Sequence, residues 1–170
     1  MPCAFNNAET VTDKSLEVIA KHCKNLTYLY LTECSDITDD GLEALSRMEN
    51  LHKLKDLYMS RCSNVTDQGV HRLVQCCPNL EVLNLRKCPL VADKSFQAIV
   101  ETCPNLTYLN LNNTGITTIP RDIGDKLPEL QILNLGNNKI TTVPRSISKL
   151  MELSTEHFHM YNNPLLKPPL

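Results

Sequence analysis

No apolar run in this chain approaches the roughly 20 residues that a membrane-crossing helix needs, so we expect no membrane partner. The start, Met1-Pro2-Cys3-Ala4-Phe5-Asn6, has neither the basic n-region nor the apolar h-region of an export signal, and the expected location is the cytoplasm or the nucleus. A dominant charge is lacking too. Seventeen Lys and Arg against 19 Asp and Glu leave a net −2, which gives no field for holding phosphates and excludes nucleic acid as an expected partner. No acid, base and nucleophile converge in the pattern, so we expect no enzyme, no catalytic residue, no cofactor and no small-molecule substrate. Tryptophan is absent, which leaves five tyrosines and the arginines to supply the large amphipathic side chains that interfaces favour.

What is present is a leucine period. Three stretches start on the same phase: Leu26-x-x-Leu29-x-Leu31-x-x-Cys34, Leu54-x-x-Leu57-x-Met59-x-x-Cys62 and Leu80-x-x-Leu83-x-Leu85-x-x-Cys88. Two more end on a different anchor: Leu106-x-x-Leu109-x-Leu111-x-x-Thr114 and Leu130-x-x-Leu133-x-Leu135-x-x-Asn138. Alternation inside each L-x-L triplet predicts a short strand with one buried face. Its recurrence every two dozen or so residues predicts stacked repeats, a parallel sheet and an α/β solenoid. Counting back one period from Leu29 places Cys3 in a first strand, with Phe5 at the Leu31 position and Ala8 at the Cys34 position.

Between strands the early repeats share another grammar: Val11-Thr12-Asp13, Ile37-Thr38-Asp39, Val65-Thr66-Asp67 and Val91-Ala92-Asp93. Apolar residues at helical spacing follow each one. This predicts a convex helix per repeat, with Thr12 or Asp13 as the first N-cap. These repeats run 26 residues except the one from Leu26 to Leu54, which runs 28; its extra pair is expected in a rim loop near Met48 to Lys53. Past Cys103, Ile116-Thr117-Thr118-Ile119-Pro120 and Ile140-Thr141-Thr142-Val143-Pro144 put a proline where the helix used to begin. The expectation there is a short 3₁₀ turn or an extended segment. Phe158-His159-Met160 takes the last L-x-L place, followed by Asn163.

Eight cysteines do not read as a disulfide framework. Cys34, Cys62 and Cys88 share one column of the repeat, and Cys23, Cys77 and Cys103 share another. A cysteine in such a column packs as a small hydrophobe, in keeping with a reduced compartment. Asn138 and Asn163, like the cysteines in the same column, are expected to serve the turn after the strand, where an Asn side chain can satisfy buried backbone groups. The pair in His157-Phe158-His159 shares a strand face at metal-ligand spacing. A site needs further ligands, however, and the neighbouring Ile132 and Asn134 supply none, so no metal is expected.

The first four repeats, with their cysteine anchors, resemble the cysteine-containing leucine-rich repeats of F-box substrate receptors in ubiquitin ligases. The last three, with L-x-x-L-x-L-x-x-N-x-I-T-x-I-P, resemble the typical leucine-rich repeats of intracellular scaffolds. Together these patterns cover nearly the whole chain, which is read as one domain of about seven repeats over residues 1–170. Residues 1–105 are of the cysteine-containing type and 106–170 of the typical type. The resemblance implies the leucine-rich-repeat solenoid and an adaptor or substrate-recognition role. No segment matching an F-box precedes the first strand, so docking to a ligase core is not implied.

Residues between the leucines face the concave sheet. The columns read Tyr28, Asp56, Val82, Tyr108, Ile132, His157; then Tyr30, Tyr58, Asn84, Asn110, Asn134, His159; then Thr32, Ser60, Arg86, Asn112, Gly136, Tyr161. All five tyrosines fall on this one surface. Tyr28, Tyr30, Asp56, Tyr58, Arg86 and Tyr108 are the expected partner-binding residues, and the expected partner is a protein. The alternative is a structural fragment or engineered piece of a larger scaffold without independent function. The cysteine columns yield a prediction: thiol titration of denatured, non-reduced protein should find eight free thiols. Fewer than six would overturn the packing assignment.

Overall fold

Each strand is only two or three residues long, and it is held in place by the strands beside it. The computed structural model describes residues 2–4, 11–150, 153 and 156–165. Among the described residues, seven parallel strands form one sheet in chain order: β1 (Pro2–Ala4), β2 (Tyr28–Tyr30), β3 (Asp56–Tyr58), β4 (Val82–Asn84), β5 (Tyr108–Asn110), β6 (Ile132–Asn134) and β7 (Phe158–His159). Their register puts Cys3, Leu29, Leu57, Leu83, Leu109, Leu133 and Phe158 in one row. The backward count from Leu29 therefore lands in register at Cys3. Phe5 and Ala8 lie outside the described residues. Leu29, Leu57, Leu83, Leu109 and Leu133 are at most 1% exposed. Full burial of one such side chain contributes roughly 1.5–3 kcal/mol.

Parallel neighbours require a crossover, and here the crossovers are α1 (Asp13–His22), α2 (Asp39–Ser46), α3 (Asp67–Val74) and α4 (Asp93–Thr102). Each buries one face against the leucine rows: Leu16 and Ile19, Leu42 and Leu45, Val70 and Leu73, Phe96 and Ile99. Thr12, Thr38, Thr66 and Ala92 are the N-caps. The Thr12 amide donates to Ser15 Oγ at 3.2 Å, and the Thr38 hydroxyl accepts from the Asp40 amide at the same distance.

The aspartate after each cap binds the next repeat. Asp13 accepts from the Thr38 amide at 2.9 Å and the Thr38 hydroxyl at 2.7 Å. Asp39 takes the same two groups of Thr66. Asp93 takes both groups of Thr117 together with the Thr118 amide. Burial disfavours the Asp93 charge, but the hydrogen bonds from Thr117 and Thr118 outweigh it and hold its pKa below the usual carboxylate value. Space for this ladder comes from glycine. A Cβ on Gly41 would stand 2.3 Å from Asp13 Oδ1, and one on Gly69 would stand 2.3 Å from Asp39 Oδ1. In the next repeat Ala92 supplies no hydroxyl, and Ser95, at the position of those glycines, donates its hydroxyl and its amide to Asp67.

A second ladder runs along the turn after each strand. Cys62 Sγ donates to the Leu31 carbonyl at 3.2 Å, and Cys88 Sγ to that of Met59 at 3.0 Å. Asn138 Nδ2 reaches the Leu111 carbonyl at 2.7 Å and Asn163 Nδ2 that of Leu135 at 2.8 Å. Thr114, between the two styles, instead donates to the Leu111 carbonyl of its own repeat at 2.9 Å and pairs with Asn138 Oδ1. Burial pushes the thiols of Cys62 and Cys77 up, and those of Cys88 and Cys103 up to about 11. Cys23, Cys34, Cys62, Cys76, Cys77, Cys88 and Cys103 form no disulfide among themselves.

Two expectations about the convex side change in detail. The segment near Met48 to Lys53 that holds the extra pair contains a 3₁₀ turn, Leu51–Lys53, whose Leu51 is buried at the repeat position that Cys77 and Cys103 hold in later repeats. After Pro120 the fifth repeat forms one α-turn, α5 (Ile123–Lys126), in which the Leu127 amide donates to the Ile123 carbonyl at 2.9 Å. After Pro144 the expected 3₁₀ segment is found at Arg145–Lys149.

The aspartate ladder generates a double-mutant prediction. Gly69→Ala should cost roughly 1–3 kcal/mol in denaturant melts, and distinctly less in an Asp39→Ala background, where the clashing oxygens are gone. Equal costs in the two backgrounds would detach the glycine from the aspartate.

Candidate functional site

Strand parity places the site. With Leu29, Leu57 and Leu83 buried, their neighbours on each strand emerge on the concave face, in register across the sheet. Tyr28 lies beside Asp56, and Tyr30 beside Tyr58. The Tyr30 and Tyr58 rings stack with centroids 4.9 Å apart and planes 10° from parallel. Tyr28 is 37% exposed, while Tyr30, Tyr58 and Asp56 are half-buried.

The electrostatics follow from this crowding. Asp56 has its pKa raised, first by desolvation and then by the Glu81 charge, with Lys55 partly opposing. Tyr58 has its pKa raised by desolvation, then by Asp56, and further by Tyr30 and Tyr108. At the edge of the patch Lys55 Nζ is held by Glu81 Oε1 at 2.6 Å. The Asp56 carboxylate makes no hydrogen bond or ion pair among the described residues, while its amide donates to the Thr27 carbonyl at 3.2 Å. Arg86 is exposed one strand further on, with its amide bonded to Asn84 Oδ1 at 3.0 Å and its guanidinium on the solvent side.

The other half of the concave face is closed. Asn84, Asn110 and Asn134 turn their Oδ1 atoms back onto the amides two residues ahead, at 3.0–3.1 Å, so they brace their own turns. Tyr161 lies across Gly136, where a Cβ would come within 2.6 Å of its ring, and its hydroxyl accepts from Asn112 Nδ2 at 2.8 Å. Asn110 and Asn112 are thereby 7% and 3% exposed.

Of the six expected partner-binding residues, Tyr28, Tyr30, Asp56 and Tyr58 form one continuous cluster on β2 and β3. Arg86 stands beyond it on the β4 side. Tyr108, on β5, is half-buried with its hydroxyl 3.1 Å from Asn110 Nδ2, so it flanks the cluster across Val82. The Lys55–Glu81 pair at the edge was not singled out from the sequence. Its signal was the residue just before each strand, a column outside the alternation of the triplet. His159 meets the Tyr161 ring edge-on at 6.3 Å. No helix among the described residues is long and apolar enough to cross a membrane.

Comparison with known proteins fits this geometry. The family described as a leucine-rich repeat region matches residues 60–164, and that of the leucine-rich repeats of an FBD-associated F-box protein matches residues 4–93. A search of curated proteins returned no match. Among solved structures, a leucine-rich repeat protein of Leptospira interrogans is 23% identical, with 99% of this chain and 38% of that one covered and a TM-score of 0.61. An internalin of Listeria monocytogenes is 20% identical, over 89% of this chain and 46% of that one, with a TM-score of 0.63. A plant peptide hormone receptor, RGFR1, solved in complex with RGF2, is 21% identical over 86% of this chain and 22% of that one, with a TM-score of 0.58. The chain spans less than half the length of each of these three.

Proposed function

Because this chain belongs to the leucine-rich-repeat family, with its first half of the F-box-associated type, we propose that it is a protein-interaction module whose partner docks on the concave sheet over β2 to β4. The observation that carries this is the Tyr28, Tyr30, Asp56, Tyr58 cluster. Three tyrosines, two of them stacked, lie in the open half of a sheet whose other half is closed by asparagines and Tyr161. Rigid stacked rings lose little conformational entropy on binding and offer large contact area with a polar tip. Arg86 extends the patch with a charged donor, and Tyr108 bounds it. Similarity to the plant receptor solved in complex with RGF2 supports the use of this fold for holding another chain.

The F-box-associated character of residues 4–93 supports a finer reading, in which the module recognises substrates as an adaptor of a ubiquitin ligase in the cytoplasm or nucleus. That reading rests on resemblance of repeat type, whereas the concave-face reading rests on the site.

The test is a Tyr30→Ala, Tyr58→Ala double mutant. Its partner affinity should fall by a few kcal/mol, the usual range for truncating interface anchors, while its far-UV circular dichroism stays unchanged because the leucine core is untouched. Lys94→Ala on the convex α4 should leave binding intact. Undiminished binding by the double mutant, with loss caused by the convex change, would move the site to the helical side.

A further inference from the structure

The concave columns from Tyr28 to Tyr161 contain two side chains of fixed charge, Asp56 and Arg86. Around them the charges are already matched. Lys55 is committed to Glu81 and Arg61 to Glu33. Arg86 reaches into solvent and needs no partner. Asp56 differs, being half-buried between Tyr28 on β2 and Val82 on β4, with Tyr58 two residues along its own strand. Its carboxylate makes no hydrogen bond or ion pair among the described residues. A partly desolvated carboxylate without a partner is costly in the free chain, and its raised pKa expresses that cost.

The rings around Asp56 favour the same ligand chemistry. Tyrosine faces carry a negative quadrupole that attracts ammonium and guanidinium groups, more strongly where water is displaced. The Tyr30–Tyr58 pair at 4.9 Å is too close to admit a planar group between its rings, which would need about 7 Å. A cation would therefore have to sit beside the stack, on the side where Tyr28 and Asp56 stand in register.

Resting on the concave-face reading above and deepening it, we propose that Asp56, with Tyr28 and Tyr58, is the receptor for one lysine or arginine side chain of the partner, which docks as the charged anchor of the complex. The neighbouring Tyr30 provides the wall.

The experiment is selection of a random peptide library displayed on phage against the full chain, with Asp56→Asn, Asp56→Lys and the Tyr30→Ala, Tyr58→Ala double mutant as parallel baits. Asp56 makes no bond that its asparagine replacement would break, so a melting temperature at or above that of the parent checks that the fold is kept. Selected peptides should share a Lys or Arg at one aligned position and lose at least about tenfold in affinity toward Asp56→Asn. Asp56→Lys should select Asp or Glu there instead. Peptides that need Tyr30 and Tyr58 but carry no aligned basic residue, or bind Asp56→Asn equally well, overturn the cation receptor and leave the concave-face reading standing. Peptides indifferent to the tyrosines, or no enriched peptide at all, count against both.

Discussion

A repeat of this chain cannot bury its own leucines. Leu57, in the middle of a three-residue strand, is covered only because Leu29 and Leu83 stand in register on either side and helices close the back. That mutual burial decides everything else. It fixes strand parity, since a slip by one residue would turn every leucine outward, and parity in turn fixes which residues the concave sheet presents. Tyr28, Tyr30, Asp56 and Tyr58 are brought together by leucines that none of them replaces. The site is a consequence of the core, displayed on its other side.

Stacking also creates a polar problem, because each turn leaves backbone groups at the boundary between repeats. Two ladders deal with it, one in the turn after each strand and one at the start of each helix. Aspartates after the helix caps reach forward to the amide and hydroxyl of the next repeat's threonine. Cysteines, and later asparagines, reach back to the carbonyl of the preceding strand's end. The change from thiol to amide coincides with the shortening of the convex segments, and Thr114 marks the junction by bonding within its own repeat. Glycine at 41 and 69 and serine at 95 are the sequence traces of the aspartate ladder. The position is small where threonine supplies the hydroxyl, and hydroxylated where alanine does not.

Much of this was legible from period and parity alone. The strand rows, the back-count to Cys3 and the three concave columns all follow from one leucine phase applied consistently, while the choice between Thr12 and Asp13 as the first cap fell to Thr12 only in the structure. What escaped depends on side-chain direction between distant residues. Nothing local signals that Asp39 will bind Thr66, or that Tyr161 will fold over Gly136 to Asn112 in a turn two strands back. The columns therefore overstated the open surface, because Asn110 and Asn112 point the right way and are still covered. The rim loop expected near Met48 to Lys53 contains a 3₁₀ turn at Leu51–Lys53, which the spacing alone did not signal. For the candidate site, membership of the cluster could be read from the sequence, while the stacking of Tyr30 on Tyr58 and the unpaired carboxylate of Asp56 required the structure.

If neighbour-by-neighbour burial governs the molecule, damage should spread according to position in the stack. Native-state hydrogen exchange on Leu83→Ala and Phe158→Ala tests this directly. Leu83 is fully buried with strands on both sides, and its truncation should lower protection across β2 to β6 by roughly 2–5 kcal/mol. Phe158 is half-buried on the last described strand, and its loss should lower protection in β6 and β7 only. An equal loss of protection throughout the chain in both variants would contradict the account.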